Sequence, residues 1–177
     1  MRLTLETQRL ILRPFTMEDA QAVFDGWAND PEVTEYLTWP PHTDVEVTKK
    51  IVAQWVEQYK KPERLNFAIV LKENGKLIGG IDVVGYLDGV NGTPVLGCAI
   101  GRPYWNCGYV TEALKCLLTL LFAKGYNEVR IDAQVENIGS NRVIQKCGGQ
   151  FLQTEEDERP LKGDTVFVNR YIVRRPL

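Results

Sequence analysis

The residues most suited to chemistry lie in the run Tyr104-Trp105-Asn106-Cys107-Gly108-Tyr109-Val110-Thr111-Glu112-Ala113. A glycine stands here just ahead of an amphipathic stretch. The backbone N–H groups that open the following helix have no intrahelical partner and sit at the positive end of its dipole. A phosphate group is the natural ligand of such a helix start. Gly108 lets the backbone approach that ligand closely, and Thr111 adds a hydroxyl. One glycine before a helix also has purely structural uses, so the segment alone does not define a site. No lysine follows the glycine in GKS or GKT order, which argues against a P-loop kinase or NTPase. GxGxxG is missing too, which argues against a dinucleotide fold.

The elements that must position this segment follow from periodicity. Residues 10–12, ending at Pro14, read as a first strand. Thr16 with Glu18 and Asp19 starts a helix that runs to about Ala28, with Ala20, Val23, Phe24 and Trp27 on one face. Asn29-Asp30-Pro31 breaks it. After the stiff Pro40-Pro41-His42, Thr43 or Asp44 caps a second helix. Its stripe is Val47, Ile51, Val52, Trp55 and Tyr59, and Lys60-Lys61-Pro62 ends it. Residues 67–71 and 77–86 form a hairpin through the Asn74-Gly75 turn. Asp88 to Pro94 is a loop. Residues 95–100 are the strand that feeds the phosphate segment, and the third helix follows over 109–124 with Gly125 as its C-cap. Residues 129–135 alternate as a strand, and a short helix covers 140–146. Two last strands, near 150–154 and 165–173, flank a charged loop over 155–164. The pattern predicts an α+β fold: about seven strands in a mixed, mostly antiparallel sheet, about four flanking helices, and one parallel step across the third helix.

The chain has 177 residues, enough for one domain over 1–177 with a sizeable core. Its 21 basic and 23 acidic residues leave a net charge of -2, which gives no broad pull on nucleic acid or an anionic membrane. The start, Met1-Arg2-Leu3-Thr4-Leu5-Glu6, has no apolar signal core, and the apolar-rich run near 114–123 is too short to span a bilayer. Cys98, Cys107, Cys116 and Cys147 form no close CxxC pair, and His42 is the single histidine, so no metal site is expected. Scattered cysteines without a signal segment are the pattern of reduced thiols in a cytoplasm.

Leu96-Gly97-Cys98-Ala99-Ile100, then Tyr104-Trp105, Gly108-Tyr109 and Thr111-Glu112-Ala113, resembles the acetyl-CoA motif of the GNAT acetyltransferase superfamily. The chain looks most like the RimJ/RimL branch, which acetylates ribosomal-protein N-termini. Residues 7–14 resemble that branch's opening strand, residues 29–33 its break after the first helix. Asn137, Ser140 and Lys146-Cys147-Gly148-Gly149 resemble its cofactor-side fourth helix. The resemblance covers nearly the whole chain in order. Three positions depart from it. Asn106 stands where the branch usually has glycine, Cys107 where it has a basic or polar residue, and Val110 where it has a small one. Asn106 must therefore supply the backbone angle of a glycine, and asparagine tolerates the left-handed region better than most residues. Gly149 replaces a usual aromatic, and Phe151 is expected to fill that space.

The resemblance implies N-acetyl transfer from acetyl-CoA to a primary amine by direct attack, without a metal. The acceptor would be a protein N-terminus or a small amine, and homodimers are common in the branch. The backbone of Cys98, Ala99 and Ile100 would pair with the pantetheine arm like an added strand. Cys107, Gly108, Tyr109, Val110 and Thr111 would cradle the pyrophosphate, and Asn137 would hydrogen-bond the pantetheine. A neutral amine must attack the thioester, and the departing thiolate benefits from a proton donor. No tyrosine lies between Ile138 and Gly149, and Ser140 matches the position of a donor serine in the branch. Ser140 is also a natural N-cap. Glu112 suits the dipole of its helix better than it suits catalysis. Asp82 and His42 are base candidates on residue type alone. Cys107 near a helix start has the makings of a thiolate nucleophile, but direct transfer is usual in the superfamily. Tyr36, Trp39 and Trp55 are candidates to line the acceptor side, with core packing the alternative role of Trp39 and Trp55. A non-catalytic acyl-CoA-binding module of the same fold is the competing reading; a phosphotransferase lacks its lysine.

Overall fold

The computed structural model of the chain describes residues 3–61, 64–89 and 92–176. The first two residues, the helix stop expected at Pro62, and the loop residues Val90 and Asn91 lie outside the described residues.

Eight strands form one sheet: β1 (Leu5–Glu6), β2 (Leu10–Arg13), β3 (Asn66–Leu71), β4 (Leu77–Tyr86), β5 (Pro94–Ile100), β6 (Glu128–Gln134), β7 (Gln150–Arg159) and β8 (Asp164–Arg174). Their order is β1-β2-β3-β4-β5-β6-β8-β7. The strand beyond the expected seven is β1, whose two residues pair antiparallel with β2 and are too few to show a period. The helices are α1 (Ala20–Val23), α2 (Pro31–Thr34), α3 (Val45–Gln58), α4 (Tyr109–Ala123) and α5 (Ile138–Lys146). A 3-10 turn at Met17–Asp19 leads into α1 and a π-helical turn at Phe24–Ala28 continues it. The additional helix, α2, begins where Asp30 accepts a hydrogen bond from the Glu32 N–H and Pro31 occupies the first turn.

Alternation along the strands sends side chains to two cores. Phe67, Ile69 and Leu71 of β3 join Ile81, Leu96, Ile131 and Tyr171 under α4 and α5. Ala68 and Val70 face the opposite way and pack with Phe15, Val23, Trp27 and Val52 under α1 and α3. Ala113, Leu114, Leu117, Leu118 and Leu121 form the buried stripe of α4, as their spacing predicts. Asp44 caps α3, its Oδ1 accepting from the N–H groups of Glu46 at 2.8 Å and Val47 at 3.2 Å. Thr48 and Val52 are fully buried on α3, while Val47, Ile51 and Trp55 are only partly so.

Three expectations are corrected. The charged segment 155–164 is not a loop. β7 continues through Arg159 and β8 starts at Asp164, with a tight turn between them. Its charges pair across the ribbon: Arg170 donates to Glu155 at 2.9 Å and to Asp157, and Arg159 to Asp164 at 2.7 Å. Secondly, α5 begins at Ile138, because Asn137, not Ser140, is its N-cap. Thirdly, Phe151 does not fill the space beside Gly149. It lies 56% exposed, edge-on to Tyr171. Ile144 occupies that space: a Cβ on Gly149 would meet Ile144 Cγ2 at 2.4 Å.

Candidate active site

The parallel step places the site. β5 and β6 are joined by α4 and pair only at Val95 with Arg130 and Leu96 with Ile131. Beyond Leu96 they splay apart. On its other edge β5 stays paired with β4 all the way to Ile100. The edge of Gly97–Ile100 that faces β6 therefore has no strand partner, and its backbone groups require hydrogen bonds from elsewhere. A cleft of about 540 Å³ opens at this splay. Its lining comes from both faces of the sheet: Val110, Leu114, Asn137 and Ser140 on the α4 and α5 side, and Phe15, Trp27, Trp39 and Trp55 on the other. The gap thus passes through the sheet, so two ligands can enter from opposite faces and meet.

On the α4 side the cleft ends at the glycine-bearing helix start. Gly108 is the N-cap with φ +80°, and no side chain caps α4 there. Asn106 has φ +60°, the left-handed angle its residue type tolerates. Uncapped N–H groups and the positive end of the helix dipole leave this end chemically suited to an anion. The contrast with Asp44 on α3 and Asn137 on α5, both capping through their side chains, is informative. Asn137 Oδ1 accepts from the Ser140 N–H at 3.0 Å, which leaves the amide nitrogen as the donor it can offer a ligand. Ser140 sits in the first turn of α5 and lines the cleft.

On the other face Asp82 stands opposite Gly97 in the β4–β5 ladder. A Cβ added to Gly97 would clash with Val84 Cγ1 at 2.7 Å and lie in ordinary contact, 3.4 Å, with Asp82 Oδ1, so Val84 is the neighbour that favours glycine here. Burial pushes the Asp82 carboxyl up to about 7, and Arg64 opposes this weakly. Asp132, Asp157 and Arg170 line the same face. Arg170 donates to Asp132 at 2.8 Å, and Arg130 to Asp132 at 2.7 Å. Tyr36 and Trp39 reach the cleft on a loop braced from across the gap. Gln134 donates to the Tyr36 carbonyl at 3.0 Å, and buried Arg159 to the carbonyls of Glu35 at 2.7 Å and Leu37 at 3.4 Å. Trp55 packs on Phe15 with ring centroids 4.7 Å apart and lines the cleft as well, so it serves core and cleft together.

The remaining candidates are not brought to this point. His42 stacks on Trp39 and its Nδ1 lies 2.7 Å from Thr48 Oγ1, outside the cleft lining; burial lowers its pKa. Burial pushes the Cys98 thiol up to about 12, so it stays protonated near neutrality. Cys107 is exposed, its Sγ 3.4 Å from the Trp105 carbonyl. Glu112 is held by Thr7 and Arg9 from the N-terminal strand region, at 2.6 Å and 2.7 Å, a structural role that its dipole-favoured position foretells. Arg9 and Arg159 are legible only as a strand opener and a loop charge, because Glu112 and the Glu35 carbonyl, which they hold, lie over 100 residues away. Among the described residues no group of three or more His, Cys, Asp or Glu side chains is arranged to hold a metal, and no helix is long and apolar enough to cross a membrane.

The site is thus a sheet splayed beside one short parallel pairing, with an uncapped helix start at one end of the gap and the Asp82 carboxyl at the other. Residues 9–150 match the family description "Acetyltransferase (GNAT) domain", and the chain belongs to that family. It is 34% identical over 169 residues to the Bacillus licheniformis protein named "Uncharacterized N-acetyltransferase p20", covering 93% of this chain and 92% of the relative. Among solved structures, a GNAT-family acetyltransferase from Bacillus anthracis superposes with a TM-score of 0.83 at 24% identity, covering 97% of this chain and 98% of the other. The fold is also that of RimL, the ribosomal L7/L12 α-N-protein acetyltransferase, in complex with coenzyme A: TM-score 0.85, 19% identity, 97% and 98% covered. The protein is an N-acetyltransferase.

Proposed function

We propose that the chain transfers the acetyl group of acetyl-CoA to a primary amine, a protein N-terminus or a small amine, by direct attack across the β5–β6 splay. The observation that carries this reading is the edge of Gly97–Ile100 that no strand pairs, which lies between the uncapped start of α4 and Asp82; at its end the Ile100 carbonyl accepts from Trp105 Nε1 at 2.9 Å. The backbone of Cys98, Ala99 and Ile100 accepts the pantetheine arm as a further strand. The first-turn N–H groups near Cys107, Gly108, Tyr109, Val110 and Thr111 hold the pyrophosphate, and the Asn137 amide donates to the pantetheine. Coenzyme A bound to a protein of the same fold is consistent with this assignment. Acetyl-CoA supplies the activated acyl carbon, and this chain's residues manage the protons.

Asp82 is the base. Its raised pKa lets a useful fraction ionise near neutrality while retaining enough basicity to take a proton from the acceptor ammonium. The neutral amine nitrogen then forms the new C–N bond as the C–S bond breaks; Ser140 Oγ gives its proton to the departing sulfur, and the second proton lost by the nitrogen restores the serine hydroxyl, leaving the amide and the free CoA thiol. Once ionised, the Asp82 carboxylate on the acceptor face favours approach of a cationic ammonium, whereas Asp132 and Asp157 are already paired with Arg170. A cytoplasmic location is part of this proposal; the four free cysteines support it.

The test follows free thiol release from acetyl-CoA against a panel of amines and N-terminal peptides, alongside calorimetric titration with CoA. Thiol release that depends on an added amine, with CoA bound, is the expected result. Absence of CoA binding sinks the site. Binding without release for any acceptor favours the alternative, a CoA-binding module.

A further inference from the structure

The anion-receiving helix start carries a carboxylate in its own first turns, and one arginine from the other end of the chain neutralises it. Glu112 lies one turn into α4, where a negative charge competes with any phosphate for the positive end of the dipole. Arg9 meets this residue two ways and Thr7 a third. The Arg9 backbone N–H donates to Glu112 Oε1 at 2.8 Å, its Nε to Oε2 at 2.7 Å, and Thr7 adds a bond to Oε1 at 2.6 Å. Partial burial pushes the Glu112 carboxyl up, but these hydrogen bonds outweigh it and the group settles below the usual carboxylate value. It is therefore ionised whenever a phosphate arrives, and its charge must be countered.

Arg9 also grips the loop itself. Its guanidinium donates to the Cys107 carbonyl at 3.0 Å and lies 4.4 Å from the centre of the Tyr109 ring. A Cβ on Gly108 would sit 3.4 Å from its remaining terminal nitrogen. The peptide between Cys107 and Gly108 is planar and trans, so its C=O and N–H point in opposite directions. Holding the Cys107 oxygen toward Arg9 turns the Gly108 N–H away from it. One side chain thus fixes both the angle of a phosphate-facing N–H and the charge of the nearest carboxylate.

We propose that Arg9 is a positioning residue for acetyl-CoA: it orients the loop Cys107–Gly108–Tyr109 and masks Glu112, so that the start of α4 can accept the pyrophosphate. This rests on the proposed pyrophosphate site. A lysine cannot reproduce it, because a single ammonium lacks the planar fork that reaches Glu112 and the Cys107 carbonyl together.

The experiment is a double-mutant cycle on the full chain, read as separate KM values for acetyl-CoA and amine, kcat, calorimetric CoA affinity and melting temperature. Arg9→Gln is expected to raise the acetyl-CoA KM about threefold to tenfold, the size of a half-exposed charge effect at a helix start, with kcat and the amine KM within about twofold. Arg9→Lys should fall between wild type and Arg9→Gln. Adding Glu112→Gln to Arg9→Gln should bring the acetyl-CoA KM part of the way back, since the unmasked charge is gone. A purely structural clamp gives the opposite: the double variant is as weak as the single or weaker. That result, or an unchanged acetyl-CoA KM in Arg9→Gln, overturns the proposal. If Arg9→Gln does not fold, an unchanged acetyl-CoA KM in Arg9→Lys overturns it instead. Failure of the wild type to bind CoA sinks the pyrophosphate site itself, which a mutant-only effect does not.

Discussion

Asp82→Asn separates the catalytic and structural consequences of one buried carboxyl. The side chain lies beside Gly97 at the splay, and burial moves its pKa from 3.8 to about 7. Such a rise corresponds to about 4 kcal/mol of penalty on the charged form. The cleft admits water, so about 2–4 kcal/mol is a fair range for what asparagine relieves above neutrality. The sign follows from proton counting. Between pH 3.8 and about 7 the folded state holds a proton that the unfolded chain has lost. Wild-type stability from this group therefore falls as pH rises through that window and levels off above it. Asp82→Asn should flatten this slope and melt higher than wild type at pH 8. Activity moves the other way. In the wild type, kcat/KM should rise with pH on a limb centred near 7, as the base ionises. In Asp82→Asn that limb should vanish and kcat drop by about 100-fold or more, the usual scale for a lost general base. Chemical denaturation at pH 5 and pH 8 reads the first effect, and thiol-release kinetics across that range the second. An intact alkaline-rising limb with near-normal kcat in Asp82→Asn refutes the assignment of Asp82 as base. A stability gain that is the same at pH 5 and pH 8 refutes its buried ionisation.

Three further outcomes test other parts of the site. Ser140→Ala should lower kcat by about 100-fold through loss of the proton donor, with CoA affinity little changed. Its melting temperature should hold, since the backbone N–H of Ser140, not its hydroxyl, bonds Asn137; an unchanged kcat leaves Ser140 with no chemical role. Asn106→Ala should cost about 1–2 kcal/mol in denaturation, because φ +60° disfavours a Cβ without a polar group to compensate, whereas Asn106→Gly should be neutral or better. Arg159→Ala removes the Arg159 bond to the Leu37 carbonyl and leaves the Glu35 carbonyl with Lys162 as its remaining donor. It should cost about 1–3 kcal/mol and raise the amine KM while leaving that for acetyl-CoA unmoved, as steady-state kinetics with each substrate varied will report.

Much of this protein is legible in its sequence, and the legible part is local. The stripe of Ala113, Leu114, Leu117, Leu118 and Leu121 defines α4, the Asn74-Gly75 turn sets its hairpin, and Asp44 announces the start of α3. The glycine before α4 marks where that helix starts, without a side-chain cap. Each of these is written within four residues, the range over which helix and strand periods operate. The ribbon of β7 and β8 escaped because charges that read as solvated loop are neutralised by partners on the neighbouring strand, as Arg170 does for Glu155 and Asp157. The start of α5 escaped because Asn137 and Ser140 are both good caps, and only the hydrogen bond from the Ser140 N–H to Asn137 decides between them.

What tertiary structure alone decided is which distant residues meet. The splay of β5 from β6 depends on a pairing that stops after Leu96 and Ile131. Asp82 is pushed up to about 7 only because the folded sheet buries it. Arg9 reaches Glu112 across 103 residues of chain. Residue types proposed these candidates, but a pKa and a positioned charge are properties of a surrounding, and the surrounding exists only once the strands are in register.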